Sequence, residues 1–215
     1  MELNIDQKCR GTRIIFGDEA WFRRNILDKL IEIANSYGFK EIILPSLELS
    51  EIYVDKAGVE ILNQMYTFKD KGDRDLCLRP EGTATVQLIA NKYWKTQKDI
   101  KLWYFERCWR YERPQAGRYR EFFQFGIEWI NPSKDAKPIL IEIAKKMIET
   151  KTANYTVTES VKRGLSYYVE DGFEISVDQL GAQKQVCGGG AYKEGIGFAI
   201  GFDRLMLIEK PPATE

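Results

Sequence analysis

Histidine is missing from all 215 residues, which removes Ser-His-Asp and Cys-His catalysis, imidazole metal ligation and a histidine pH switch together. Cysteine is scarce. Cys9, Cys77, Cys108 and Cys187 lie too far apart in sequence for a C-x-x-C metal ribbon or a dense disulfide framework, so reduced core thiols are expected. Net charge is lacking as well: 32 Lys+Arg balance 32 Asp+Glu, no bulk field can hold a polyanion, and any nucleic-acid contact has to be local. No apolar run approaches the roughly eighteen residues that cross a bilayer, and Met1-Glu2-Leu3-Asn4 has none of the basic and apolar character of a leader. A cytoplasmic protein with no membrane partner is expected. What is present is 44% hydrophobic, 13% aromatic and 30% charged side chains, enough for a sizeable core and incompatible with disorder. With no repeat, low-complexity stretch or linker, one domain over residues 1–215 is expected.

Periodicity predicts the elements. Phe22, Ile26, Leu30 and Ala34 recur at i+4 steps beside Leu27 and Ile31, with Asp18 as N-cap and Gly38 as stop. Glu41 to Leu44 reads as a strand, Met65 to Phe68 and Leu76 to Leu78 as a hairpin, and Gly82 to about Trp94 as a second amphipathic helix. A third helix spans Asp135 to Thr150, with Pro138 in its first turn. Strands are expected around Tyr155–Val157, Leu165–Val169, Phe173–Val177 and Gly195–Gly201, then a last helix from Phe202. The sum is α+β, an antiparallel sheet flanked by helices rather than a βαβ array.

The centre carries the chemistry. Ile100 to Tyr111 and Arg120 to Ile130 are β-rich runs around the turn formers Pro114, Gly117 and their neighbours, which predicts a long hairpin. Period two puts Phe123, Phe125, Ile127 and Trp129 on one face of the second strand, and Arg120, Phe122, Gln124, Gly126 and Glu128 on the other. The second face reads either as a solvated face or as a surface where Arg110 and Glu112 join it, Gly126 leaving room for something to lie on the backbone. Gly188-Gly189-Gly190 matches neither G-x-G-x-x-G nor a P-loop. A tight bend and a floor for a ligand are equally good readings of it.

At this point the chain resembles a known family, the class II aminoacyl-tRNA synthetases, and within it the catalytic core of the histidyl-tRNA synthetases. Arg10-Gly11-Thr12-Arg13 with the helix to Gly38 and the strand to Pro45 resembles motif 1, Arg110 to Arg120 resembles motif 2, and Gly201-Phe202-Asp203-Arg204-Leu205 resembles motif 3. The histidine-specific resemblance rests on Leu78-Arg79-Pro80-Glu81-Gly82-Thr83, Arg163-Gly164-Leu165 with Tyr167-Tyr168, and Leu180-Gly181-Ala182-Gln183 running to Gly188-Gly189-Gly190 and Tyr192. Departures are Ser166, Ala191 and Lys193 where the family has Asp, Arg and Asp, a shortened segment before motif 3, and thirty-four residues between Glu128 and Arg163, too few for the family's insertion domain.

The resemblance implies ATP-dependent activation of histidine to histidyl-adenylate, with transfer to the acceptor end of histidine tRNA as a following step. It implies Arg110 and Arg163 at the α-phosphate, Arg204 at the γ-phosphate, Glu112 and Arg118 orienting the nucleotide, and Mg²⁺ neutralising its tail. Glu81, Thr83 and Gln124 fall to the amino group of histidine; Glu128 and Tyr168 fall to the imidazole, with Tyr192 nearby. Glu81 also suits a helix N-terminus, and the tyrosines also suit ordinary strand packing. A homodimer is implied by motif 1. The alternative is a histidine-binding regulatory paralogue like the regulatory subunit of ATP phosphoribosyltransferase.

Overall fold

The computed structural model describes residues 9–54, 58–162 and 167–208. In chain order it forms α1 (Gly17–Ser36), β1 (Lys40–Glu41), β2 (Leu47–Leu49), α2 (Glu51–Val54), α3 (Gly58–Gln64), β3 (Thr67–Lys69), β4 (Asp75–Leu78), α4 (Thr83–Tyr93), β5 (Ile100–Trp109), β6 (Glu121–Ile130), α5 (Lys137–Glu149), β7 (Thr156–Val161), β8 (Gly172–Ser176), β9 (Gln185–Tyr192), β10 (Gly195–Gly201) and α6 (Phe202–Met206). Seven strands make one sheet in the order β1-β5-β6-β10-β9-β8-β7, and β2-β4-β3 make a small second sheet. Every pairing is antiparallel except β1 with β5. The expected α+β class and the long hairpin are both present.

The large core lies between the sheet and the helices α1 and α5. Ile26, Leu27, Leu30 and Ala34 of α1 meet Leu140, Ile143, Ala144, Met147 and Ile148 of α5 and Phe125, Ile127, Trp129, Phe198 and Ile200 of the sheet. Each such large side chain, fully buried, stabilises the fold by about 1.5–3 kcal/mol before chain entropy is counted. The expected start of α1 is corrected: Phe16 is the cap, with no side-chain cap bond, and Asp18 lies inside the first turn, where its charge suits the helix dipole. Phe22 stays 37% exposed beneath Lys151, and Arg23 is the buried side chain one residue on. The reason is tertiary, since Arg23 is drawn in by a buried carboxylate, Asp203.

Three further readings change. The second face of β6 is divided: Phe122 and Gln124 stay half-buried and line a cavity with Arg110 and Glu112, as the second of the two readings expected, whereas Gly126 and Glu128 are buried, where α4 packs through Val86 and Ala90 together with Tyr104 and Tyr192. Gly126 makes its room for a neighbour in the chain, not for a ligand. It pairs across the hairpin with Tyr104, whose ring fills the place a Cβ would take. Gly188–Gly190 form no bend but run through the middle of β9, where a Cβ on Gly189 would stand 2.5 Å from the Gly197 carbonyl oxygen on β10. The strand expected over Leu165–Val169 falls partly outside the described residues, and its described end makes an isolated bridge, Tyr168 to Tyr192. No helix among the described residues is long and apolar enough to cross a membrane.

Candidate functional site

The N-terminus of α4, the hairpin β5–β6, strands β9 and β10 and the start of α6 enclose a cavity of about 520 Å³. Its wall carries Glu81, Thr83, Arg110, Glu112, Arg118, Gln124, Tyr168 and Arg204, residues separated by up to 123 positions in sequence and brought together by the antiparallel pairing. Glu128 and Tyr192 sit one side chain deeper, wholly or almost wholly buried. Arg163 lies outside the described residues.

One part of the cavity is acidic and hydroxylic. Glu81 caps α4: its two carboxylate oxygens accept the backbone N–H groups of Thr83 at 2.7 Å and Ala84 at 2.9 Å, while Tyr167 donates to it at 3.4 Å. Capping and lining the cavity are therefore done by one carboxylate. Burial raises its pKa despite these donors and the nearby Arg110. Behind it, Glu128 accepts Thr83 Oγ1 at 2.6 Å and Tyr192 OH at 2.7 Å. Burial pushes the Glu128 carboxyl up to about 8, since two hydroxyl donors offset only part of the cost of charge there. The phenols of Tyr104, Tyr167 and Tyr192 are pushed well above their usual range, again chiefly by burial, so the donors to Glu81 and Glu128, Tyr167 and Tyr192, stay neutral.

The other part is cationic. Arg110 joins the two, donating through Nε to the Pro80 carbonyl at 2.9 Å and acting electrostatically on Glu81. Arg118 Nε stands 2.5 Å from Glu112 Oε2 as an ion pair. Arg204 donates through Nε to Gly117 O at 2.7 Å and through Nη1 to Gln185 O at 2.9 Å. Burial first, then Arg118, depress the Arg204 pKa, with Glu112 opposing the fall and Arg110 adding to it. Backbone carbonyls fix the guanidinium groups of Arg110 and Arg204, and a carboxylate fixes that of Arg118.

Asp203 belongs to this site although the motif reading gave it no role. Its Oδ1 accepts Arg13 Nη2 and Arg23 Nη2, the latter at 2.7 Å, and its Oδ2 accepts the Phe123 N–H at 2.6 Å. One buried carboxylate thus ties the segment before α1, α1 itself, β6 and α6. Its place in Gly201–Leu205 was visible in the sequence; its three donors were not.

The sequence profile of the family described as histidyl-tRNA synthetase matches residues 11–159. A curated relative, the histidine–tRNA ligase of Archaeoglobus fulgidus, is 32% identical over 306 aligned positions, covering 93% of this chain and 75% of that protein. The chain belongs to the histidyl-tRNA synthetase family. The alignment is longer than the chain, so the relative carries segments that this family member passes over. Among solved structures, apo Staphylococcus aureus histidyl-tRNA synthetase superposes with a TM-score of 0.77 at 26% identity, over 95% of this chain and 70% of that one. A Bacillus halodurans protein described as an ATP phosphoribosyltransferase regulatory subunit/histidyl-tRNA synthetase shares the fold, with a TM-score of 0.80 at 16% identity over 97% of this chain and 84% of that one.

No group of three or more potential metal ligands occurs among the described residues. The carboxylates on the wall are Glu81 and Asp203, both engaged by donors, with Glu112 and Glu174. This donor set fits a divalent cation brought in on a triphosphate and finished by water, rather than a resident ion.

Proposed function

We propose that this chain activates histidine with ATP to form histidyl-adenylate. The observation that carries the reading is the meeting of Arg110, Arg118 and Arg204 with Glu81, Thr83 and Gln124 on one cavity wall. In the reaction a histidine carboxylate oxygen attacks the α-phosphorus in line, the new P–O bond forms as the bond to the bridging oxygen breaks, and pyrophosphate leaves. Arg110, fixed by Pro80, would hold α-phosphate oxygens; Arg204, fixed by Gly117 and Gln185, would hold the γ-phosphate; Glu112 and Arg118 would orient the nucleotide. Arg163 is assigned to the α-phosphate by the family resemblance. Glu112 and Glu174 on the cavity wall would help to hold a Mg²⁺ brought in with the nucleotide, whose charge would neutralise the triphosphate tail.

Glu81 and Thr83, with Gln124, would receive the amino group. Glu128 would take an imidazole N–H once the ring reaches it, with Tyr168 as the second polar partner. Transfer to the tRNA 3′ end is proposed as a second, weaker activity, since the chain is formally neutral and its RNA contacts would be confined to the acceptor end.

Amino-acid-dependent ATP–pyrophosphate exchange across all twenty amino acids tests the reading. Histidine alone is expected to support exchange, and Arg110→Ala is expected to cut it by about a hundredfold or more, as for other preplaced donors to developing charge. Histidine binding without exchange would instead point to a histidine-binding regulatory protein; the Bacillus halodurans neighbour is described in part as a regulatory subunit of ATP phosphoribosyltransferase.

A further inference from the structure

The turn between β5 and β6 is held from two sides. On one side Arg204 Nε donates to the Gly117 carbonyl at 2.7 Å. On the other the Arg13 guanidinium lies 3.7 Å from the centroid of the Tyr119 ring, while its Nη2 pairs with Asp203. Asp203 and Arg204 are neighbours in α6, so one short helix anchors both arms. Arg118 stands between them, paired with Glu112. The backbone beside Arg13 follows the same turn: Gly11 O accepts the Arg120 N–H at 2.9 Å, and Gly11, at φ +86°, lies so close that a Cβ would stand 2.8 Å from Arg120 Cγ.

Tyr119 lines the cavity and Arg13 does not. Arg13 therefore has no direct part in binding there, yet its two contacts join the most buried carboxylate of the cationic end to the most mobile kind of element in the wall, a turn. The task calls for a planar cation that stacks on a ring while its edge N–H groups reach a carboxylate; lysine supplies the charge without the plane.

We propose that Arg13 is a positioning residue for the nucleotide end of the cavity, latching the Gly117–Tyr119 turn by joining Asp203 to the Tyr119 ring and so setting the place of Arg118. The latch is a property of the fold; its effect on ATP rests on the adenylate-forming reading above.

The test uses limited trypsin cleavage of the full chain after Arg118, with exchange kinetics beside it. Arg13→Gln is the informative variant, because Asp203 keeps Arg23 and the Phe123 N–H and the core is untouched. Arg13→Gln and Tyr119→Ala are each expected to speed that cleavage several-fold, up to about tenfold, the population shift that losing one stacked cation produces. Tyr119→Phe should cleave like the wild type. The double variant should cleave no faster than the faster single, since both break one contact. In exchange, Arg13→Gln should raise the KM for ATP several-fold and leave the KM for histidine alone, and Arg13→Lys should recover little. Wild-type cleavage in Arg13→Gln, or a double variant showing the product of the single effects, overturns the latch. Faster cleavage in a protein with no exchange at all keeps the latch and overturns the adenylate-forming reading.

Discussion

Glu128 is the residue whose surroundings leave the plainest mark on solution behaviour. Its carboxyl is raised to about 8 by burial against only Thr83 and Tyr192 as donors, with the Glu81 charge adding to the rise. The folded protein therefore keeps a proton that the unfolded chain releases near 4.5. Stability from this group is complete below pH 4.5, falls as pH rises through the window to about 8, and is wholly lost above it. Denaturant midpoints of Glu128→Gln should vary less between pH 5 and pH 8 than those of the wild type, since the amide keeps an acceptor and cannot ionise. Identical slopes would mean that Glu128 is already ionised in the fold. At this scale the sequence was informative where a motif names a residue. Glu81, Thr83, Arg110, Glu112, Arg118, Gln124, Tyr168 and Arg204 all face one cavity. Asp203, Tyr104 and Arg13 were opaque because their worth lies in partners far away in the chain, such as Arg23, Gly126 and Tyr119.

Among the elements, the β5–β6 hairpin shows how far a period-two pattern reaches. Alternation located the strands and sorted their faces, but it could not say that α4 would bury the polar face from Gly126 onward and leave Phe122 and Gln124 to line the cavity. Nor can a run of three glycines be told from a turn when the cause of the glycine is a neighbouring strand, as at Gly189 against Gly197 and Phe198. Gly126 gives the corresponding test. Gly126→Ala drives a methyl group into the Tyr104 ring and should destabilise the protein by about 1–3 kcal/mol or more, the usual cost of overpacking a filled core. Gly126→Ala combined with Tyr104→Leu should regain part of the loss. Chemical denaturation of the three variants measures both steps, and an unaffected single variant would show that the ring has somewhere else to go.

For the whole molecule, the surface of the N-terminal segment is the feature with the widest reach. Ile14, Phe16, Trp21 and Ile43 are between 69% and 81% exposed, although side chains of this kind are rarely left in water as a group. They lie in the stretch that resembles motif 1, and a two-fold homodimer is the expected consequence. Sedimentation at micromolar concentration should give twice the chain mass, and Trp21→Glu should shift the protein towards the single chain. A wild-type monomer would remove the dimer from the functional scheme.

The strand order has its own effect on how the chain reaches this state. In the sequence β1-β5-β6-β10-β9-β8-β7 the central position belongs to β10, the last of the seven to leave the ribosome. Without it, β6 and β9 would each present a bare edge of N–H and C=O groups. A chain without that strand would have two unpaired borders, the condition in which strands pair with the wrong molecule. The same stretch of chain runs straight on into α6, whose Asp203 and Arg204 complete the cavity. The segment that closes the sheet is thus the segment that completes the site.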